Sequence, residues 1–291
     1  MFHRIAITFC LLLVLTLALS LPPLHAQPSG YEYFDPAPVE STFIAAFTPE
    51  DLAFFDYAGL RLIEFDVIDA DEQLFVGSFI ANEGKYARSW DFDADKSRSN
   101  LLFESADPLY MGLDIERTYF ANGSKEWHYA VLWVDNVNNT PWAVIADEDY
   151  ETLSSLSRNR RPIDLDENAV GETTEGPGPT PGFRYDAILV DNTVDNYMVY
   201  SVSWLSGEQL NAIGQSKWGW VPIDIQPSSP KLGEFVCVLV LVPNVKTPWF
   251  YHVGSTEAVV EAHAAINGRL TNIEPNLSAP GTFNATILFD K

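Results

Sequence analysis

The sequence predicts an α/β repeat protein, with five ~50-residue strand-helix-strand-strand units stacked into an arc or ring. Three observations carry that prediction. A short string recurs: Arg161-Pro162-Ile163-Asp164-Leu165 returns as Val221-Pro222-Ile223-Asp224-Ile225, with weaker copies at Leu62-Ile63-Glu64-Phe65, Leu113-Asp114-Ile115 and Thr271-Asn272-Ile273-Glu274. The polar anchors Glu64, Asp114, Asp164, Asp224 and Asn272 keep a spacing of about fifty, stretched once by the Gly/Pro/Thr-rich loop from Gly171 to Gly182. Other landmarks hold the same phase. An apolar run follows each anchor, and an aromatic (Phe43, Trp90, Trp142, Tyr200, Trp249) opens each unit, which places the repeats at about 43–89, 90–141, 142–199, 200–248 and 249–290.

Each element follows from local chemistry. Thr48, Pro49 and Asp51 punctuate a helix start in unit one, and Gly59 stops it. Pro108 is expected to shorten or distort the helix of unit two. Tyr150, Leu153 and Leu156 keep helical spacing in unit three, and Ser206 with Gln209 forms a capping pair in unit four. In unit five the helix is expected between Ser255 and Gly268. A hairpin follows every helix, most plainly at Asn122-Gly123, a dipeptide suited to the positive φ of a tight turn. Strands such as Phe235–Val242 are apolar on both faces, so helices or neighbouring units must cover them. A lone unit cannot do so, and the units must stack.

The chain has 291 residues, 40 acidic against 17 basic, with 47% apolar content. That composition supports a full core, and a net charge of −23 opposes binding to nucleic acid or anionic membrane. Residues 1–26 read as a secretory signal peptide, with Arg4 before an apolar run and Leu24-His25-Ala26 or Ser20 at the cleavage end. Residues 27–42 read as a flexible leader and 43–290 as a single domain, secreted and extracellular. Export leaves one thiol, Cys237, expected to be buried and inert in its apolar strand. Sequons at Asn122, Asn138, Asn276 and Asn284 are expected at the surface as glycan acceptors.

The Pro-Ile-Asp strings, with Arg184-Tyr185-Asp186-Ala187-Ile188-Leu189-Val190 and Tyr129-Ala130-Val131-Leu132-Trp133-Val134, resemble the tandem repeats of the polyglycine hydrolase N-terminal region, which also occur as bacterial tandem repeat domains. The resemblance covers about residues 43–290 and implies a secreted repeat fold beside a separate serine hydrolase domain. No catalytic residue of that family carries over. Ser228 and Lys231 form a Ser-x-x-Lys, but Pro227 and Pro230 oppose the helix start it needs.

Motifs that carry chemistry are sparse. Gly-x-Ser-x-Gly and phosphate loops are absent, and His128, His252 and His263 show no metal-ligand spacing. Asp91, Asp93 and Asp95 lack the Gly and Glu of a calcium loop. No cofactor or metal is expected. Strand alternation places the anchor carboxylates toward water between inward apolar neighbours; a ladder of acceptors for a ligand is the other reading. With 8 Trp, 12 Tyr and 18 Phe, aromatic side chains are the remaining resource. Trp218 and Trp220, flanking Gly219, are the expected ligand-binding residues, whereas Trp90, Trp142 and Trp249 are read as mortar between repeats. The expected function is that of a secreted non-catalytic protein binding an extracellular protein or polysaccharide. The alternatives are an accessory or degenerate relative of a secreted serine peptidase, or a hydrolase with an unrecognised site that would have to recruit Cys237.

Overall fold

The computed structural model describes residues 41–289 apart from 85–86, 122–124, 138, 158–159, 170–182, 192–199, 217–218, 228–233, 242–248, 266–267 and 277–278. The described residues are mostly β, with 62% in strands, and their helices are short. Each unit runs strand, helix, strand, strand. Unit one comprises β1 (Ser41–Phe47), a 3-10 turn (Pro49–Asp51) leading into α1 (Leu52–Tyr57), β2 (Leu60–Asp69) and β3 (Leu74–Ala81). Unit two has β4 (Trp90–Ser97), α2 (Arg98–Glu104), β5 (Tyr110–Ala121) and β6 (Glu126–Asp135). Unit three has β7 (Trp142–Glu148), α3 (Tyr150–Leu156), β8 (Arg160–Ala169) and β9 (Phe183–Asp191). Unit four has β10 (Tyr200–Ser206), α4 (Gly207–Gly214), β11 (Trp220–Pro227) and β12 (Glu234–Leu241). Unit five has β13 (Trp249–Thr256), α5 (Glu257–Ala264), β14 (Gly268–Pro275) and β15 (Thr282–Phe289).

In every unit the third strand lies at the centre of a three-stranded antiparallel sheet, between the first and the second. The helix therefore crosses from one edge of the sheet to the other. Helices this short do not persist alone in water, so capping and burial hold them. Ser97 Oγ accepts from Asn100 N–H at 3.4 Å and Asp149 Oδ1 from Thr152 N–H at 2.8 Å. Ser206 and Gln209 form the reciprocal pair that the sequence predicts, at 3.2 and 2.8 Å. Two helix boundaries differ from expectation. The helix of unit two ends at Glu104, so Pro108 falls beyond it and distorts nothing. In unit five Thr256 caps the helix, which stops at Ala264, and Gly268 opens β14. Ser41 and Thr42, expected in the leader, already pair with Ile80 and Phe79 in β1.

One register feature recurs in all five units and explains a further correction. Pairing of the second strand with the central strand slips between Leu62 and Glu64, Gly112 and Asp114, Pro162 and Asp164, Pro222 and Asp224, and Leu270 and Asn272. Each slip is a bulge lying just before the anchor, and a bulge re-aims the side chains that follow it. Pro162 and Pro222 are tolerated because they stand at its edge. The anchors do not face water. Glu64, Asp114, Asp164, Asp224 and Asn272 are all buried.

The second strands β2, β5, β8, β11 and β14 pack against one another in succession, and β14 packs in turn on β2. Leu270 N–H donates to Ser41 Oγ at 3.0 Å, so the fifth unit is joined to the first. The apolar cores follow the same order. Phe92 of unit two meets Phe65 and Phe75 of unit one, with ring centroids 4.9 and 5.1 Å apart. Val76 and Phe43 of unit one pack with Val260, Ile273 and Phe283 of unit five.

Unit-opening aromatics sit at these seams. Trp90 Nε1 donates to Asp56 of α1 at 3.3 Å, and the fully buried Trp249 donates to Trp220 O of unit four at 2.8 Å. Trp142 meets Trp133 edge-on at 6.0 Å. Gly214 ends α4 against the same seam, where an added Cβ would lie 2.4 Å from Trp249 O. Gly214→Ala is expected to destabilise the protein by about 2 kcal/mol through this overpacking, measured by urea denaturation. An unchanged midpoint would show that the seam can yield.

Candidate functional site

The buried anchors form a repeating lock. Phe65 N–H donates to Asp114 Oδ2, Ile115 N–H to Asp164 Oδ2 and Leu165 N–H to Asp224 Oδ2, each at 2.8 Å. Each carboxylate thus ties the second strand of its own unit to that of the unit before. Asn272 Nδ2 of unit five reaches back to Asp224 Oδ1 of unit four at 3.2 Å and on to Glu64 Oε1 of unit one at 3.4 Å. Two residues further along each strand lie Asp66, Glu116, Asp166, Gln226 and Glu274, also buried. Desolvation pushes the carboxyls of Asp114, Glu116, Asp164, Asp166 and Glu274 well above their ordinary range. The same cause raises Asp66 to about 6 and Asp224 to about 7. Among the described residues no group of three His, Cys, Asp or Glu side chains is placed to hold a metal ion.

A second buried polar cluster joins units two and three. Asp186, with no exposure, accepts from Arg117 Nε at 2.8 Å, Asp147 N–H at 2.6 Å, Tyr129 Oη at 3.2 Å and Asn168 Nδ2 at 2.9 Å. Arg117 also lies over the Trp127 ring, 4.5 Å from its centroid.

The other residues singled out in the sequence are dispersed. Cys237 is buried, its thiol donating to Ser203 O at 3.0 Å, and burial pushes it up to about 12, far from a reactive thiolate. Asp93 is held by Trp133 Nε1 and Lys96, whereas Asp95 bonds Tyr119 and His128, so this acidic string does not converge. His252 and His263 do meet, with Nε2 and Nδ1 2.5 Å apart, an approach made by strand and helix together that spacing along one helix does not reveal. Asn276 is a half-buried loop residue. The surface position expected for Asn284 is overturned: it is buried in β15, its Oδ1 fixed by Gly254 N–H at 2.9 Å. Asn122, Asn138, Trp218, Ser228 and Lys231, with the signal segment and most of the leader, lie outside the described residues.

What the fold leaves open is a groove between helix and sheet. In unit two it is a cleft of about 950 Å³ lined by Trp90, Trp133, Phe103, Tyr110 and the carboxylates of Asp91, Asp93, Glu104 and Asp107. Lys96 bridges Asp93 at 3.0 Å and Glu104 at 2.8 Å, which leaves the exposed Asp91 and Asp107 as the outward charges. Phe103 and Tyr110 are 82% and 44% exposed. Unit four carries a smaller groove of about 390 Å³ lined by Ser203, Leu205, Ala212, Ile213, Ser216, Trp220 and Leu239.

The two grooves occupy the same place in their units. Tyr110 and Trp220 each open the second strand, and Trp133 and Leu239 lie opposite Gly112 and Pro222 on the central strand. The helices align through their buried residues Leu52, Leu101 and Leu210, and three positions on stand Phe55, Glu104 and Ile213. Phe55 fills the groove of unit one by packing on Phe79 at 4.7 Å. Glu104 turns toward Lys96 instead, and the groove of unit two stays open. The sequence pointed to Trp220 but missed this cleft, whose signal was an acidic residue where the helix stripe of unit one is aromatic.

No protein-family model matches the chain, and no curated protein matches it significantly. Among the described residues no helix is long and apolar enough to cross a membrane.

Proposed function

We propose that this chain is a secreted, non-catalytic binding protein, a closed ring of five units that takes an extracellular protein or polysaccharide into the cleft of unit two. The observation that carries this reading is the pairing of exposed rings, Phe103 and Tyr110, with outward carboxylates in one concavity. Open concave sites that mix aromatic surface with a few polar groups are where ligands bind, and exposed aromatics grouped together mark contact surfaces. Ring closure is supported by the packing of β14 on β2 and by the core shared between units five and one. Such a scaffold fixes the cleft walls on strands and a capped helix, so little order is lost on binding. The signal-like first 26 residues support export.

The test is retention of the mature chain on a panel of wall polysaccharides and secreted proteins. Phe103→Ala with Tyr110→Ala is expected to weaken retention about tenfold or more with an unchanged thermal midpoint, because both side chains are exposed. Retention undiminished by the double variant, or no retained partner across the panel, would overturn the proposal.

A further inference from the structure

We infer that the ligand of the unit-two cleft is an amino-sugar polysaccharide, a β-linked chain of pyranose rings carrying free amines. The inference rests on the binding reading above and adds the ligand's chemistry.

Charge comes first. Four acidic residues line the cleft, two of them paired with the single ammonium of Lys96, and the chain as a whole carries a net −23. An anionic ligand is repelled and a cationic one is drawn in. The carboxylates differ in availability. Asp93 and Glu104 are committed to Lys96, and Asp93 also accepts from Trp133 Nε1 at 3.0 Å. Asp91 and Asp107 each accept a neighbouring backbone N–H at 2.9 Å, a bond that fixes the direction of the carboxylate without neutralising it. The cleft therefore presents two oriented anions above a floor where two carboxylates share one ammonium.

Shape comes second. Most of the apolar contribution is planar, from Trp90, Tyr110, Phe103 and Trp133, beside the aliphatic Leu102 and Ala106. Flat rings suit the C–H faces of a pyranose, and a ring beside an ammonium adds a cation–π attraction. A sugar bearing an amine satisfies both halves of the lining with one residue. The groove of unit four, at the equivalent position, has Trp220 with Ser203 and Ser216 in place of the carboxylates, which provides an internal control.

The experiment is isothermal titration of the mature full-length chain with a β-1,4-linked glucosamine hexamer and with its fully N-acetylated counterpart, at mildly acidic pH and at low and high salt. The glucosamine hexamer is expected to bind about tenfold more tightly, the effect of two exposed ion pairs, and to weaken with salt. Asp91→Asn with Asp107→Asn is expected to abolish that preference, and Trp220→Ala to leave it intact. Equal affinity for the two hexamers would overturn the inference. So would binding of oligolysine but not of the glucosamine hexamer, which would assign the cleft to basic peptides. If glucosamine fails while a panel partner is still lost on changing Phe103 and Tyr110, the ligand class falls and the binding reading stands. If both fail, both fall.

Discussion

Raising the pH from about 5 to about 8 is expected to lower the thermal midpoint by about 10 °C. The cause is the buried acidic column. Asp66 and Asp224 have folded values of about 6 and about 7, raised by desolvation from an unfolded value near 3.8. A group whose folded pKa is raised binds its proton more tightly when folded. Its contribution is fully present below the unfolded value and is lost as the pH rises through the folded one. Asp114, Glu116, Asp164, Asp166 and Glu274 shift in the same direction for the same reason, so the loss accumulates across the neutral range. Replacing a carboxyl by its amide mimics the protonated acid, as Asn272 already does at the fifth anchor. Asp164→Asn with Asp224→Asn should therefore flatten the profile. Thermal scans across this pH range decide the matter, and a midpoint that stays level or climbs toward alkaline pH would refute the account.

Arg117→Met is expected to destabilise the protein by about 3–5 kcal/mol. The guanidinium is 7% exposed and holds Asp186, which is fully buried. Removing the cation strands an anion between units two and three with only neutral donors left to it, the Asp147 N–H, the Tyr129 hydroxyl and the Asn168 amide. Adding Asp186→Asn removes the stranded charge and should recover much of the loss in urea denaturation. If the single variant unfolds at the parent midpoint, Asp186 takes up a proton without cost and the pair is dispensable.

Much of the architecture was legible because each unit writes its own punctuation. Ser206 with Gln209 announced one helix and Leu153 with Leu156 another, since capping and helical spacing act within a few residues. The direction of the anchors was not legible. Alternation sends Asp164 to the side opposite Ile163 and Leu165, but the bulge after Pro162 resets the count, and neighbouring units cover the face it then adopts. A bulge has no reliable signature in one sequence. Asn284 misled for a related reason: a sequon is read from three residues, whereas its burial in β15 depends on a bond to Gly254 thirty positions away. The cleft was half visible. Trp220 marked the position, yet recognising the copy at Tyr110 required aligning the helices by their buried leucines, because the decisive difference is Glu104 where unit one has Phe55.

The seating of the fifth unit on the first carries one more consequence. Linear repeat arrays expose a sticky apolar flank at either extremity and need dedicated end modules to stay monomeric. Here Ser41, Ser78 and Glu64 of the opening unit are bonded to Leu270 and Asn272 of the closing one, so each flank serves as the other's cover. In the proposed ring, copy number is set by geometry: duplicating or deleting a unit would leave the two flanks without their fit, whereas moving the chain ends to another junction would preserve it.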